Sequence, residues 1–187
     1  MKSNKFHFME TWTVPGYSPE EIWAAISTAH PCHLPRWWDG VYLQVKPLEG
    51  ADRLSVGARA WVKARGFLPY KLRFLLEVSA LEPNSRIEVR SQGDLEGVWC
   101  AQLKEYEDGS CIGLEWKVTV NKPIVRLLSP LLKPVFARNH IWTTPRGEAG
   151  LRAYMQHHAG TLQFPEGEKT TFGCYTLETH NSHSGCP

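Results

Sequence analysis

Two ionisable side chains stand where acid–base chemistry would be expected. Glu10 shares the alternation phase of Phe8 and Trp12, which places it on the apolar face of a strand. A carboxyl group buried there without a cation would hold its proton and act as acid or base, whereas a bulge at the strand end would turn Glu10 outward. His140 lies one position off an apolar helical stripe, beside Phe136, and is either a proton carrier or a hydrogen-bonded histidine at the core edge. Glu10 and His140 are therefore the two catalytic candidates.

A second set of side chains suits ligand orientation rather than reaction. Asn139 interrupts the same helical stripe, and its amide both donates and accepts hydrogen bonds, so it orients either a ligand carbonyl or hydroxyl or the sheet backbone and a buried water. Arg36 follows a proline-constrained turn and precedes Trp37 and Trp38. The tryptophans suit a cavity cover, with at least one of them anchoring the core, while Arg36 suits an anionic or carbonyl end of a ligand.

Several site classes lack their required residues. The five cysteines include no CxxC pair, so neither a zinc knuckle nor a disulfide framework is indicated. The sequence contains no HExxH, GxSxG, P-loop or GxGxxG motif, which argues against metalloprotease, hydrolase-elbow and nucleotide sites. His30, Cys32 and His33 crowd one turn, but Pro31 restricts their convergence. We therefore predict no metal and no cofactor.

Composition restricts the partners. Twenty-one basic against nineteen acidic residues leave a net charge of +2, far from the concentrated positive field that nucleic-acid binding needs. The amino terminus has no apolar signal region, and no run of eighteen residues is free of charges and breakers. The 21 aromatic residues (eight Trp, six Tyr and seven Phe) provide flat apolar area for a core or for a flat ligand. We predict a reduced, cytoplasmic protein that does not bind nucleic acid.

Hydrophobic periodicity predicts the elements that position these residues. Alternation over 6–14 indicates a first strand, and Ser18-Pro19 with Glu21 is typical of a capping box at a helix start. Residues 30–38 indicate a short second helix or irregular turn. Six further strands separated by short turn signals, as in an antiparallel meander, are predicted over 41–48, 56–65, 70–82, 85–92, 95–106 and 111–121.

The period changes to 3.6 from Leu128, which predicts one long carboxy-terminal helix that ends at residue 158 and that Pro145 kinks or divides near Thr143. Residues 159–187 have no apolar periodicity and are expected to be a mobile tail. A sheet that must bury one face has only the long helix to cover it. The prediction for 1–158 is an α+β helix-grip domain, with a curved seven-stranded antiparallel sheet wrapped on the helix and two short helices after the first strand.

Several segments resemble the START-like, or SRPBCC, superfamily, which includes polyketide cyclases, plant pollen-allergen proteins and lipid-transfer domains. They are Trp12-Thr13-Val14, Pro19-Glu20-Glu21-Ile22-Trp23, Leu34-Pro35-Arg36-Trp37-Trp38-Asp39-Gly40-Val41, Asn139-His140-Ile141-Trp142 and Gly147-Glu148-Ala149-Gly150-Leu151. The resemblance, with the element order, covers about residues 6–158. It implies a deep cavity between sheet and long helix for an apolar or aromatic small molecule, in proteins that range from enzymes to carriers.

Strand phase predicts which side chains face this cavity. Residues 58, 60, 62 and 64 present small side chains inward, which leaves volume unless neighbouring aromatic rings fill it. Most strand charges fall on the opposite, solvated face. The predicted ligand-binding residues are Arg36, Trp37, Trp38, Ala58, Ala60, Phe74, Trp99, Trp116, Val135, Asn139 and Trp142.

Three functions are compatible with these features. The first is a carrier or sensor that binds a small hydrophobic or aromatic molecule, such as a lipid, polyketide or isoprenoid-like compound. The alternative is a metal-free cyclase, aromatase or dehydratase that uses Glu10 or His140. The second alternative is a protein or membrane interaction module, in which Phe67 and Leu68 at an apolar hairpin tip flanked by basic residues contact a membrane.

Overall fold

Seven antiparallel strands form one sheet in the order β1-β7-β6-β5-β4-β3-β2. The computed structural model describes residues 5–48, 50–66, 71–121 and 141–157, without the side chains of Cys32 and Arg36. All seven strands predicted from the sequence are confirmed. Their bounds are β1 Lys5–Pro15, β2 Tyr42–Pro47, β3 Arg59–Arg65, β4 Lys71–Glu82, β5 Arg86–Gly93, β6 Leu95–Tyr106 and β7 Gly109–Val120.

The largest shift in a strand boundary is at β3, which begins at Arg59 and not at residue 56. The Ala58 N–H donates to Ser55 O at 3.0 Å, so the preceding residues close a turn before the strand starts. The strand phase is nevertheless as predicted, because Ala60, Val62 and Ala64 are all buried. The inward row of small side chains therefore exists.

Helix α1 spans Pro19–Thr28 and begins with the predicted capping box. The Ser18 backbone N–H donates to Glu21 Oε2 at 2.8 Å, and the Glu21 N–H donates to Ser18 Oγ at 3.3 Å. Ile22 on its inner face is fully buried. The following segment is a 3₁₀ turn at Pro31–His33 joined to α2, a four-residue helix at Leu34–Trp37.

Residues 141–157 form helix α3, which continues through Pro145. Of the two predicted effects of Pro145, the division near Thr143 is therefore wrong, while a kink stays a prediction. Proline removes one hydrogen bond, and the carbonyl that loses it belongs to Ile141, which is 71 % exposed and open to water. Residues 128–140 and 158 of the predicted long helix, and the proposed tail at 159–187, lie outside the described residues. Among the described residues, no helix has the length and apolar character needed to cross a bilayer.

Helix α3 packs closely on the segment around α2 because it carries two glycines at the contact. A Cβ on Gly147 would overlap the Trp38 indole and lie 2.6 Å from Trp12 Cη2, and one on Gly150 would overlap the Trp37 carbonyl oxygen. Only glycine permits this approach. The helix thereby holds Trp37 and Trp38 against the concave side of the sheet.

Side chains of α3 also hold the outer edge of β1, a strand that pairs on one side alone with β7. The Thr13 N–H donates to Glu148 Oε1 at 3.0 Å, and Arg152 Nε donates to Thr13 O at 2.7 Å. Arg152 Nη2 and Glu148 Oε1 are 2.6 Å apart and form an ion pair on the same helix face. These bonds satisfy edge backbone groups and fix α3 over the sheet.

Candidate functional site

A cavity of about 260 Å³ lies on the concave side of the sheet, below α1, α2 and α3. Strands β3–β7 supply its floor through inward residues such as Leu76, Val89 and Leu114, and Leu151 of α3 and Ile22 of α1 close it from the other side. The described lining is almost entirely aliphatic and aromatic. A volume of this size is unfilled although protein interiors are otherwise close-packed.

Six of the predicted ligand-binding residues meet at this cavity. They come from α2 and the residue that follows it, from the start of β3 and the residue before it, and from β6 and β7, and they are Trp37, Trp38, Ala58, Ala60, Trp99 and Trp116. The small side chains of Ala58 and Ala60 leave the volume that the sequence indicated, and Ala60 is only 7 % exposed. Strand alternation was sufficient to bring Ala60, Trp99 and Trp116 to one face, whereas Ala58 lies in the turn before β3.

A second cavity of about 100 Å³ lies next to the first and is lined by Phe74 among others. Trp38, Tyr42, Trp99 and Trp116 line both cavities and form a partition between them. The Trp99 and Trp116 rings stack with centroids 4.3 Å apart, and Trp38 meets the edge of Trp116 at 5.9 Å and of Tyr42 at 5.2 Å. Phe74 therefore lies beyond the partition, away from the main cavity.

Few polar groups reach this aromatic partition. Trp38 Nε1 donates to Thr143 O of α3 at 3.0 Å, so its indole is fixed. The Tyr42 side chain forms no hydrogen bond with the described residues, and burial raises the pKa of its hydroxyl well above the ordinary value. A neutral phenol with no described partner, in the wall of both cavities, is suited to a hydrogen bond with a ligand.

Glu10, one of the two catalytic candidates, is half-buried but is not among the described residues that line either cavity. Strand β1 pairs with β7 in continuous register from Lys5 to Pro15, so the alternative of a bulge at Glu10 is wrong. Its carboxylate accepts hydrogen bonds from Trp12 Nε1 at 3.2 Å and from Thr144 Oγ1 at 2.8 Å. These bonds link β1 to α3.

Trp142 is half-buried, and its ring is covered by the Arg146 guanidinium at 3.9 Å. It is likewise absent from the described lining of both cavities. The remaining predicted site residues lie outside the described residues: Val135, Asn139, His140, Phe67 and Leu68 as whole residues, and Arg36 in its side chain. Among the described residues, no group of three or more His, Cys, Asp or Glu side chains is arranged to hold a metal.

Sequence reasoning missed residues that are contributed by irregular or helical segments. Tyr42 is one, because the phase of the short strand β2 was not assigned; Leu151 is another, because its place on the cavity required the path of α3. Arg53 and Arg59, at the cavity edge, were missed because a loop and an outward strand phase gave no reason to connect them with it. Alternation applied to β2 would not have found Tyr42, because Tyr42 shares a phase with Gln44 and Lys46. A register shift between Tyr42 and Gln44 allows both Tyr42 and Val45 to be buried.

The architecture resembles that of several solved structures. TTHA0849 from Thermus thermophilus superposes with a TM-score of 0.61 at 15% identity, covering 83% of this chain and 99% of that one. Ara h 8.0201 gives 0.58 at 14% identity, covering 82% and 99%. Norcoclaurine synthase from Thalictrum flavum, in complex with dopamine and hydroxybenzaldehyde, gives 0.54 at 14% identity, covering 82% and 87%.

These identities show the fold alone, and the chain accordingly has a START-like, or SRPBCC, fold, as the resemblance in its sequence implied. No model of a protein family matches the sequence, and no curated protein matches it either.

Proposed function

We propose that this protein binds one small, largely apolar aromatic molecule in the cavity between the sheet and α3, as a carrier or sensor. The observation that carries the proposal is the open volume of about 260 Å³ lined by Trp37, Trp38, Ala58 and Ala60. Burial of a ligand's apolar surface there would contribute about 25 cal/mol per Å² removed from water. The aromatic compounds bound by the Thalictrum flavum neighbour are in keeping with a ligand of this kind.

The size of the cavity favours a compact ligand over a long-chain lipid. A protein cavity of about 150 Å³ holds benzene, so the volume of about 260 Å³ has room for a two-ring molecule of naphthalene size. A longer polyketide or isoprenoid would also need the second cavity of about 100 Å³. Reaching it requires Trp99 or Trp116 to move from the stacked arrangement in the partition.

We favour the carrier function over the enzymatic function because of the contacts that Glu10 makes. Its carboxylate oxygens are engaged by Trp12 and Thr144, and it lies outside the described lining of both cavities. A cyclase or dehydratase using His140 as proton carrier stays the alternative. Membrane contact through Phe67 and Leu68 stays a further proposal, and both of these rest on residues outside the described part.

The test uses 2-naphthol as a neutral two-ring probe and isothermal titration calorimetry as the assay. Replacing Ala60 with tryptophan places an indole in the cavity, so Ala60→Trp is expected to abolish binding of the probe. Lys46→Trp is the matched control, since Lys46 is exposed on β2 and absent from the described cavity lining, and it should bind as the wild type does. Circular dichroism and a thermal melt verify that both variants fold.

Equal affinity of wild type and folded Ala60→Trp for 2-naphthol would contradict the placement of the ligand. Absence of binding to the wild type would contradict the proposed cavity function for molecules of this size. If both tryptophan variants lose binding, the effect is not specific to the cavity, and the proposal is equally contradicted.

A further inference from the structure

The described lining at the edge of the main cavity includes two arginines, one of which follows Asp52 in the chain. Arg53, in the loop between β2 and β3, and Arg59, at the first position of β3, are both exposed and both among the lining residues. Within the described part of the lining there is no Asp or Glu. The other described lining residues are buried or half-buried, so these exposed cations mark where the cavity reaches the surface. The cavity thus combines an apolar interior with a cationic rim.

Within the described residues, the guanidinium groups of the two arginines have no polar partner. Neither guanidinium forms an ion pair or hydrogen bond with any part of the chain that the structure describes. Glu77 stands opposite Arg59 in the β3–β4 register, yet the two side chains form no ion pair. Elsewhere on the sheet, Arg86 contacts Glu82 and Lys117 contacts Glu115. Other strand cations, such as Arg73 and Arg90, form no ion pair with the described residues either. What distinguishes the rim arginines is that they line the cavity.

The loop that carries Arg53 is held in position. Ala51 is 1 % exposed and lines the cavity, and its N–H donates to Leu48 O at 3.0 Å. At the other end of the loop, the Gly57 N–H donates to Val78 O at 2.8 Å. A loop anchored at both ends keeps the cation near the rim before any ligand arrives, which lowers the entropy cost of binding.

We infer that the ligand is an aromatic acid, whose rings fill the apolar cavity while its carboxylate meets Arg53 and Arg59 at the rim. A guanidinium presents paired N–H donors that match the two oxygens of a carboxylate. The chain as a whole has a net charge of only +2, so the cationic rim is not a consequence of a generally basic surface. The inference rests on the proposed function and names the class of molecule for that same cavity.

The experiment compares two probes of the same shape, 2-naphthoate and the neutral 2-naphthamide, by isothermal titration calorimetry. An exposed ion pair contributes up to about 1 kcal/mol, so the acid is expected to bind the wild type about fivefold more tightly than the amide. Arg53→Gln and Arg59→Gln should each reduce this preference, and the double variant should remove it. Raising the salt concentration should also reduce it. Arg90→Gln is the control, because Arg90 is exposed on β5 and outside the described lining.

The possible results distinguish a failure of the aromatic-acid inference from a failure of the proposed binding function on which it rests. If acid and amide bind the wild type equally and the arginine variants change neither, the inference is overturned while the cavity function stands. If the arginine variants weaken both probes alike, the residues act on the cavity's structure and the inference is again overturned. If neither probe binds, the proposed function fails and the inference fails with it. A preference for the acid that Arg90→Gln preserves and the double variant abolishes supports it.

Discussion

Replacing Gly150 with alanine should destabilise the protein, although the same change in an unobstructed helix stabilises it. Glycine costs about 1 kcal/mol relative to alanine in a helix interior. At this position, however, a Cβ would overlap the Trp37 carbonyl oxygen and lie 2.5 Å from the carbonyl carbon and 3.0 Å from Cα. All three atoms are backbone, so no side-chain rotation relieves the overlap, and α2 must move away from α3.

Overpacking of this kind costs about 1–3 kcal/mol, and more where the backbone must shift. Setting about 3 kcal/mol of strain against the gain of about 1 kcal/mol in helix propensity, we expect Gly150→Ala to lower the free energy of unfolding by about 2 kcal/mol. For a domain of this size that corresponds to a fall in Tm of roughly 4–8 °C. Urea denaturation followed by tryptophan fluorescence measures the free energy, and a thermal melt measures Tm.

Ala149→Gly is the matched control, because Ala149 is exposed on the same helix and its change tests propensity alone. It should cost about 1 kcal/mol. Because Trp37 lines the cavity, Gly150→Ala should also weaken binding of 2-naphthol, whereas Ala149→Gly should not. A Gly150→Ala variant as stable as the wild type, or more stable, would refute the close contact between α3 and Trp37.

Three further predictions concern single side chains. Because burial raises the pKa of Tyr42, the folded state keeps the phenol proton that the unfolded chain loses near its ordinary pKa, and the free energy of unfolding should fall as pH rises above that value. Tyr42→Phe should show a smaller alkaline loss of stability in urea titrations at stepped pH. An identical pH profile for the variant and the wild type would contradict this prediction. Glu148→Ala leaves the half-buried Thr13 N–H without its acceptor and should lower the free energy of unfolding by about 1–3 kcal/mol. Glu148→Gln keeps an acceptor and should lower it by less. Equal losses for the two variants would argue against that hydrogen bond. The pKa of Glu115 is held below its ordinary value mainly by a hydrogen bond from Lys117 and to a smaller extent by one from His7. Lys117→Met should therefore raise the pKa of Glu115 in an NMR titration of its carboxyl carbon. An unchanged pKa would exclude the contact between Lys117 and Glu115.

The sequence was sufficient for what depends on local periodicity and not for what depends on the meeting of distant segments. Alternation in β4, β6 and β7 placed Trp99 and Trp116 on the concave face, because side-chain direction in a strand is fixed by residue parity. It also placed Phe74 inward. Alternation could not reveal the partition that puts Phe74 on the second cavity, since that depends on the contact of Phe74 on β4 with Trp99 on β6, and β5 lies between these strands in the sheet.

Glu10 is a residue whose strand phase could be predicted from the sequence but whose contacts could not. Its phase was assigned correctly, yet its environment was not, because Thr144 approaches it from α3, 134 residues later in the chain. Pro145 was expected to kink or divide the helix, but a proline whose lost partner lies at an exposed turn does not divide it. The rim arginines were missed for the same reason as Thr144: their role depends on where a loop passes and not on a pattern in the sequence.

The proposed function places a small aromatic molecule in the open volume between the sheet and α3. Methyl NMR of the protein titrated with 2-naphthol tests it most directly, because the cavity is lined by methyl-bearing residues that include Ala58, Ala60 and Leu151. We expect saturable shifts at these methyls and intermolecular NOEs from them to the naphthol ring, with no shift at Leu75, which the described lining does not include. Absence of saturable shifts, or shifts confined to methyls outside the cavity such as Leu75, would contradict it.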